Sequence, residues 1–198
     1  HFAAFHSRVS GLPEFAGELP ATVMAEEMLT EGEGQIRGLI TTAGNPVLSA
    51  PNGNLMDKAL AGLDFMVSID FYINETTQHA DIILPPTSAL EHDHYDLAFH
   101  RLAVHNTARF NEAVFEPTEG SKHDWEIFNE LGLAVAACKG MDAKPLPSPD
   151  KLIDRGIQRG PYSAAAGHEL ELTLDKIKQY PHGLDIGPLQ PSLPERLC

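Results

Sequence analysis

The run Ile36-Arg37-Gly38-Leu39-Ile40-Thr41-Thr42-Ala43 is largely apolar and does not alternate strictly, the pattern of a buried strand in a parallel sheet. It stops at Gly44-Asn45-Pro46. A second strand is predicted over Phe65 to Asp70, and a short third over Asp81 to Leu84, halted by Pro85-Pro86. Between the first two, a helix is predicted around Asn54 to Ala61. Between the last two, Asn74 to His79 reads as a helical turn. Strand, helix, strand, helical turn, strand is the rhythm of a parallel sheet with covering helices. Upstream, residues up to about Pro20 read as irregular, punctuated by Gly11, Pro13 and Gly17. Ala21 to Leu29 reads as a short helix capped by Thr22, with the Glu26 and Glu27 carboxylates on a solvated face. Downstream, Arg101 to Val104 reads as a further strand. Ser121-Lys122-His123-Asp124 resembles a capping box that opens a helix, with Trp125, Phe128, Leu131 and Val135 at helical spacing. Ala143 to Pro149 reads as a Pro-rich linker, Leu170 to Gln179 as a weaker helix, and the chain from Tyr180 as an extended connector.

Composition narrows this picture. The chain has 198 residues, of which 42% are hydrophobic, enough for a globular fold with a core. Its formal net charge is −14, which argues against a basic nucleic-acid surface. A phosphate-bearing ligand would need local donors rather than bulk charge. No apolar run is long enough to span a bilayer. Cys138 and Cys198 have no metal-type spacing and suggest no disulfide scaffold. The start at His1-Phe2-Ala3 reads as a cut edge of a longer chain. The predicted fold class is α/β: an open, mostly parallel, Rossmann-like sheet flanked by helices, with an extended Pro/Gly-rich C-terminal tail. Residues 1–142 are read as the α/β domain and 143–198 as linker, short helix and connector.

Candidate chemistry gathers at the predicted strand ends, because ligands of open parallel sheets sit outside the carboxyl ends of the strands. Gly44 permits close backbone approach, and the Asn45 amide both donates and accepts. Asp70 closes an apolar strand. A carboxylate there can accept two hydrogen bonds from a ribose diol or from the N1–H and exocyclic amine of guanine. The competing reading is an Asx-type turn at Asn45 and a capping role for Asp70. Glu91-His92-Asp93-His94 has metal-ligand residue types, but no further ligand at helical spacing, and reads as a polar loop. GxSxG, Walker A and GxGxxG sequences are absent, and no metal site or catalytic residue is assigned.

Taken in order, these segments resemble the molybdopterin oxidoreductase family, which includes formate dehydrogenases, nitrate reductases and dimethyl sulfoxide reductase. Ile36-Arg37-Gly38-Leu39-Ile40 with Gly44-Asn45-Pro46 resembles its "IRALxxxxGNP" segment. Asp70, Asn74-Glu75-Thr76-Thr77 and Ala80-Asp81-Ile82-Ile83-Leu84-Pro85 resemble "D…ETxxxADVVLP". Leu90-Glu91, Lys122-His123-Asp124-Trp125 and Pro181 to Leu189 match later positions.

The resemblance implies a segment of a larger enzyme that holds molybdenum or tungsten on two pterin guanine dinucleotides. This segment would help bind one dinucleotide through Gly44, Asn45, Pro46, Ile69, Asp70, His92 and Asp124. His92 stands where some members place Lys. The metal ligand and any iron–sulfur cluster would belong to earlier parts of the parent. The isolated segment is expected to be inactive and to hold little or no cofactor. Other domains of the parent chain, and an electron-transfer subunit, are the implied partners. The wording at Asn74 to Thr77 leans towards a formate dehydrogenase-like or uncharacterised bacterial member. A stand-alone nucleotide-binding or regulatory module, and a metal-free structural subunit of the same fold, remain open alternatives.

Overall fold

In the computed structural model, which describes residues 2–97, 99–100 and 103–188, the first strands form a hairpin where the sequence predicts an irregular stretch. β1 (Phe2–His6) pairs antiparallel with β2 (Pro13–Phe15). Glu14, 1% exposed, organises it: its carboxylate accepts the Ala4 N–H at 2.9 Å and also the Gly17 N–H. A three-residue strand that starts with Pro is too short to show alternation in sequence.

A 3-10 turn at Ala21–Val23 leads into α1 (Met24–Leu29). Thr22 is not its cap; Pro20 and Val23 occupy the cap positions and supply no side-chain bond. Glu27 is buried rather than solvated, and Glu26 is half-buried. Glu27 lies 3.3 Å from Arg8 Nε and accepts the Val9 N–H at 2.9 Å. A buried carboxylate needs such partners. They come from the hairpin loop, where nothing in the local sequence around α1 announces them.

The central sheet has the order β3-β4-β5: β3 (Gly38–Thr42), β4 (Phe65–Ile69) and β5 (Ile82–Ile83), all parallel. These are the three predicted strands, the first and third trimmed at both ends and the second ending one residue earlier. α2 (Pro46–Ser49) and α3 (Gly53–Ala61) connect β3 to β4. Asn52 sits in the left-handed region at φ +58° and its side chain accepts the Leu55 N–H, capping α3. A Cβ on Gly53 would lie 2.1 Å from the Val47 carbonyl oxygen, so only glycine fits. Met56, Ala59 and Leu60 of α3 pack with Ala25 and Met28 of α1 against Met66 of β4. Burial is complete along Met66–Ile69 but alternates in β3, where Ile40 is 53% exposed. The buried strand predicted over Ile36 to Ala43 is therefore not buried throughout, whereas β4 is buried from Met66 onwards. A 3-10 turn at Thr77–His79 fills the predicted helical turn.

The remaining elements are β6 (His94–Tyr95), β7 (Thr107–Ala108), β8 (Phe110–Asn111), α4 (Asp124–Cys138), α5 (Pro149–Gln158), α6 (Leu174–Lys178) and β9 (Leu184–Asp185). β6 pairs with β8 and β7 with β9, both antiparallel. Ala108, Phe110, Leu172, Leu174, Ile177 and Ile186 form the core, with Ile153 and Ile157 of α5 against it. α4 starts two residues later than the predicted capping box implies: His123, not Ser121, is its N-cap residue, and Glu126, not Asp124, accepts the cap residue's N–H at 2.9 Å, while the Ser121 hydroxyl donates to the Thr118 carbonyl. Its predicted apolar face is only partly covered: Trp125 and Leu131 are half-buried, Phe128 and Val135 are exposed, and Ile127 is the buried position. α5 has no counterpart among the predicted elements, although Ser148 at the N-cap and Pro149 at the first position are its start signals. Of the predicted strand Arg101 to Val104, residues 101 and 102 lie outside the described residues, and Ala103 and Val104 are not in a strand. The predicted connector contributes β9; its end, residues 189–198, lies outside the described residues.

The architecture is thus mixed α/β, with a parallel three-stranded sheet flanked by helices. It divides into two compact units, 1–86 and 87–198. Among the described residues, no helix is long and apolar enough to cross a membrane.

Candidate functional site

β3 and β4 run parallel with Thr42 opposite Ile69, so their carboxyl ends lie side by side. Gly44-Asn45-Pro46 leaves β3 at this edge, and Ile69-Asp70 ends β4 there. The Ala43 N–H donates to the Ile69 carbonyl at 3.0 Å, extending the ladder by one residue. Ala43 itself has φ +46°, in the left-handed region that favours glycine. The chain therefore turns out of the sheet at a strained residue, a feature that collects at functional sites. Pro46 opens α2 at the position where its missing N–H matters least.

Both ends of the half-buried Asn45 amide are engaged. Nδ2 donates to Glu75 Oε2 at 2.8 Å, and Oδ1 accepts the Thr76 hydroxyl at 2.7 Å. Thr76 Oγ1, fully buried, accepts the Val47 N–H at 3.1 Å. Asn74 Oδ1 accepts the N–H groups of Thr76 and Thr77 at 2.9 and 3.0 Å, which fixes the turn that carries Glu75. The Asn45 hydrogen bond holds the Glu75 carboxyl below the usual carboxylate range. Asp70 Oδ1 accepts the Tyr72 N–H at 3.0 Å. That is the turn-capping role considered for Asp70, and it uses one of about four acceptor positions on a carboxylate.

His92 and Asp124 belong to the second unit, where they line a cleft of about 700 Å³. Asp124 is the first residue of α4. His123 Nδ1 is 2.7 Å from Thr87 Oγ1, and the His92 and His123 rings meet edge to face at 6.3 Å. Tyr95, Phe110, Trp125 and Ile153 give the cleft apolar surface, while Glu91, Asp93, Glu112, Glu116 and Asp150 make it acidic. The Ser88 N–H holds the Glu91 carboxyl low. The Ser148 hydroxyl does the same for Asp150, and burial pushes the Tyr95 hydroxyl up. Among the described residues, no group of three His, Cys, Asp or Glu side chains is placed to hold a metal ion.

Residues 14–134 match the sequence pattern of the family described as Molybdopterin oxidoreductase. The chain belongs to the molybdopterin oxidoreductase family. The matched span runs from β2 into α4 and includes Asn45, Asp70, His92 and Asp124. The chain is 39% identical over 120 residues to the assimilatory nitrate reductase catalytic subunit of Bacillus subtilis, covering 60% of this chain and 16% of that protein. It is 30% identical over 154 residues to the probable oxidoreductase YoaE of the same organism, covering 77% of this chain and 21% of the relative. A putative formate dehydrogenase, YrhE, is 31% identical over 108 residues, covering 53% of this chain and 10% of the relative. The chain thus spans less than a quarter of the length of these relatives.

Sequence reasoning singles out Asn45 and Asp70 but passes over Glu75 and Thr76 as site residues. They sit in a quoted motif, yet nothing in one sequence says that residues 30 and 31 positions downstream hold the Asn45 side chain.

Proposed function

We propose that this chain is the part of a larger molybdenum or tungsten oxidoreductase that seats one pterin guanine dinucleotide. The observation that carries the reading is the placement of Asn45 and Asp70 at the carboxyl ends of adjacent parallel strands in a member of this family. A ligand at such an edge is expected on topological grounds.

The donor set fits the nucleoside end of that cofactor better than its phosphates. Asp70 offers acceptors to the N1–H and exocyclic amine of guanine or to a ribose diol. Gly44 and Pro46 shape the backbone beside it, and Ile69 supplies the buried neighbour of Asp70. In the second unit, His92 and Asp124 line a cleft that is rich in carboxylates, so it also favours hydrogen-bond donors and repels phosphate oxygens. The phosphates would be held by backbone groups and by other parts of the parent. When bound, the metal and its pterins supply the redox chemistry; the protein binds and orients them. Further domains of a parent chain and an electron-transfer subunit are the proposed partners, and the segment alone is proposed to be inactive.

The test uses the full-length parent carrying Asp70→Ala, assayed for guanine nucleotide released on acid hydrolysis and for bound metal. Loss of a hydrogen bond to a charged group is worth ~1.5–3 kcal/mol, so retained nucleotide should fall about tenfold or more. Wild-type nucleotide content in that variant would sink the assignment of Asp70.

A further inference from the structure

The hydrogen bonds around Asn45 have a direction. The Val47 N–H donates to Thr76 Oγ1, which leaves the Thr76 hydroxyl hydrogen for Asn45 Oδ1. Asn45 Nδ2 then faces the Glu75 carboxylate, an acceptor without a proton to give. If the amide turned over, Oδ1 would meet the carboxylate oxygen and two acceptors would oppose each other. Buried Thr76 fixes one side of this arrangement, and exposed Glu75 fixes the other.

From this geometry we infer that Thr76 and Glu75 are positioning residues for the Asn45 amide, holding it in one orientation at the ligand edge. The inference rests on the proposed seat for a dinucleotide. Locked in this way, Asn45 keeps one Nδ2 hydrogen and one Oδ1 lone pair for a ligand. The ligand group it meets is neutral and hydrogen-bonding, because the adjacent Glu75 charge repels a phosphate oxygen. The Asn45 bond also favours the ionised form of Glu75, so the lock persists until the pH drops below the usual carboxylate range. Glu75 is thereby a specificity element that never touches the reacting atoms.

The test compares Asn45→Ala, Glu75→Gln, Thr76→Val and Thr76→Ser in the full-length parent, reading guanine nucleotide retained per chain after long dialysis. Asn45→Ala should lose nucleotide. Glu75→Gln, which lets the amide turn over, should retain about fivefold less than wild type, the effect of one hydrogen bond. Thr76→Val should do the same, and Thr76→Ser, which keeps the hydroxyl, should restore retention. The gap between wild type and Glu75→Gln should close as the pH falls through the Glu75 titration, a signature that a purely structural role would not give. Because Glu75 is exposed, its variant folds even where Thr76→Val does not. Nucleotide loss in Asn45→Ala with wild-type retention in Glu75→Gln and Thr76→Val would overturn the inference and leave the seat intact. Wild-type retention in Asn45→Ala would overturn the role of Asn45 itself, and the inference with it.

Discussion

The two units of this chain hold their candidate residues by different means. In residues 1–86, a parallel ladder five residues long delivers Asn45 and Asp70 to one edge, where the Thr76 hydroxyl and the Glu75 carboxylate orient Asn45. Among the described residues of 87–198, the strands are two residues long. There the loops are tied by carboxylates: Glu91 takes the Ser88 and Thr118 N–H groups, and Asp93 takes the Ala113 N–H. Backbone register brings the candidate residues of the first unit to one edge, whereas those of the second lie on loops tied by carboxylates. The ladder of the first unit should be sensitive to sterics, and the carboxylate-tied loops of the second to protons.

Glycine substitutions probe the steric half of this contrast. Gly53→Ala would force a Cβ to 2.1 Å from the Val47 carbonyl oxygen. It should lower stability by about 3 kcal/mol or more, read as a drop in denaturation midpoint by circular dichroism. An unchanged midpoint would mean that the α2–α3 junction yields easily and that the first unit is not sterically defined. Gly132 lies inside α4, and an added Cβ there would meet nothing within 4 Å. Gly132→Ala should therefore raise stability by about 0.5–1 kcal/mol, the helix-propensity difference. The sign difference between these two variants is the sharpest form of the comparison.

The protonic half predicts a smaller effect. Glu91 has its folded pKa lowered by the Ser88 N–H. A lowered folded value means that the stabilisation is present above the unfolded pKa, about 4.3, and is lost as the pH falls through the folded value. The midpoint difference between wild type and Glu91→Gln should thus be measurable near neutrality and vanish in acid. A difference that persisted in acid well below the usual carboxylate range would show that Glu91 acts by shape rather than by charge.

Much of the first unit is legible in sequence because its signals are local. Apolar runs that end at Gly44 and at Pro85-Pro86 mark β3 and β5, and the strand-end rule singles out Asn45 and Asp70 without contacts. What escapes notice depends on partners distant in sequence. Glu27 looks solvated until Arg8 and Val9 are folded over it, and Glu14 gives no hint that it organises a hairpin. The apolar spacing of Phe128 and Val135 predicts a buried face, but periodicity records which side is apolar and not what covers it. The cleft around His92 and Asp124 is illegible as a cleft, because its walls come from residues 91 to 153 in short, irregular pieces.

The short parallel sheet has one further consequence, for the behaviour of the chain when handled alone. Among the described residues, β3 and β5 each pair with β4 and with no other strand. Both outer strands therefore carry a row of backbone groups able to template another chain. β5 is blunted by its two-residue length and by Pro85-Pro86 just beyond it. β3 has five residues, no proline, and an exposed Ile40. Self-association, and the loss of soluble protein at high concentration, should therefore begin at β3, and a lysine placed at position 40 is the natural gatekeeper against it.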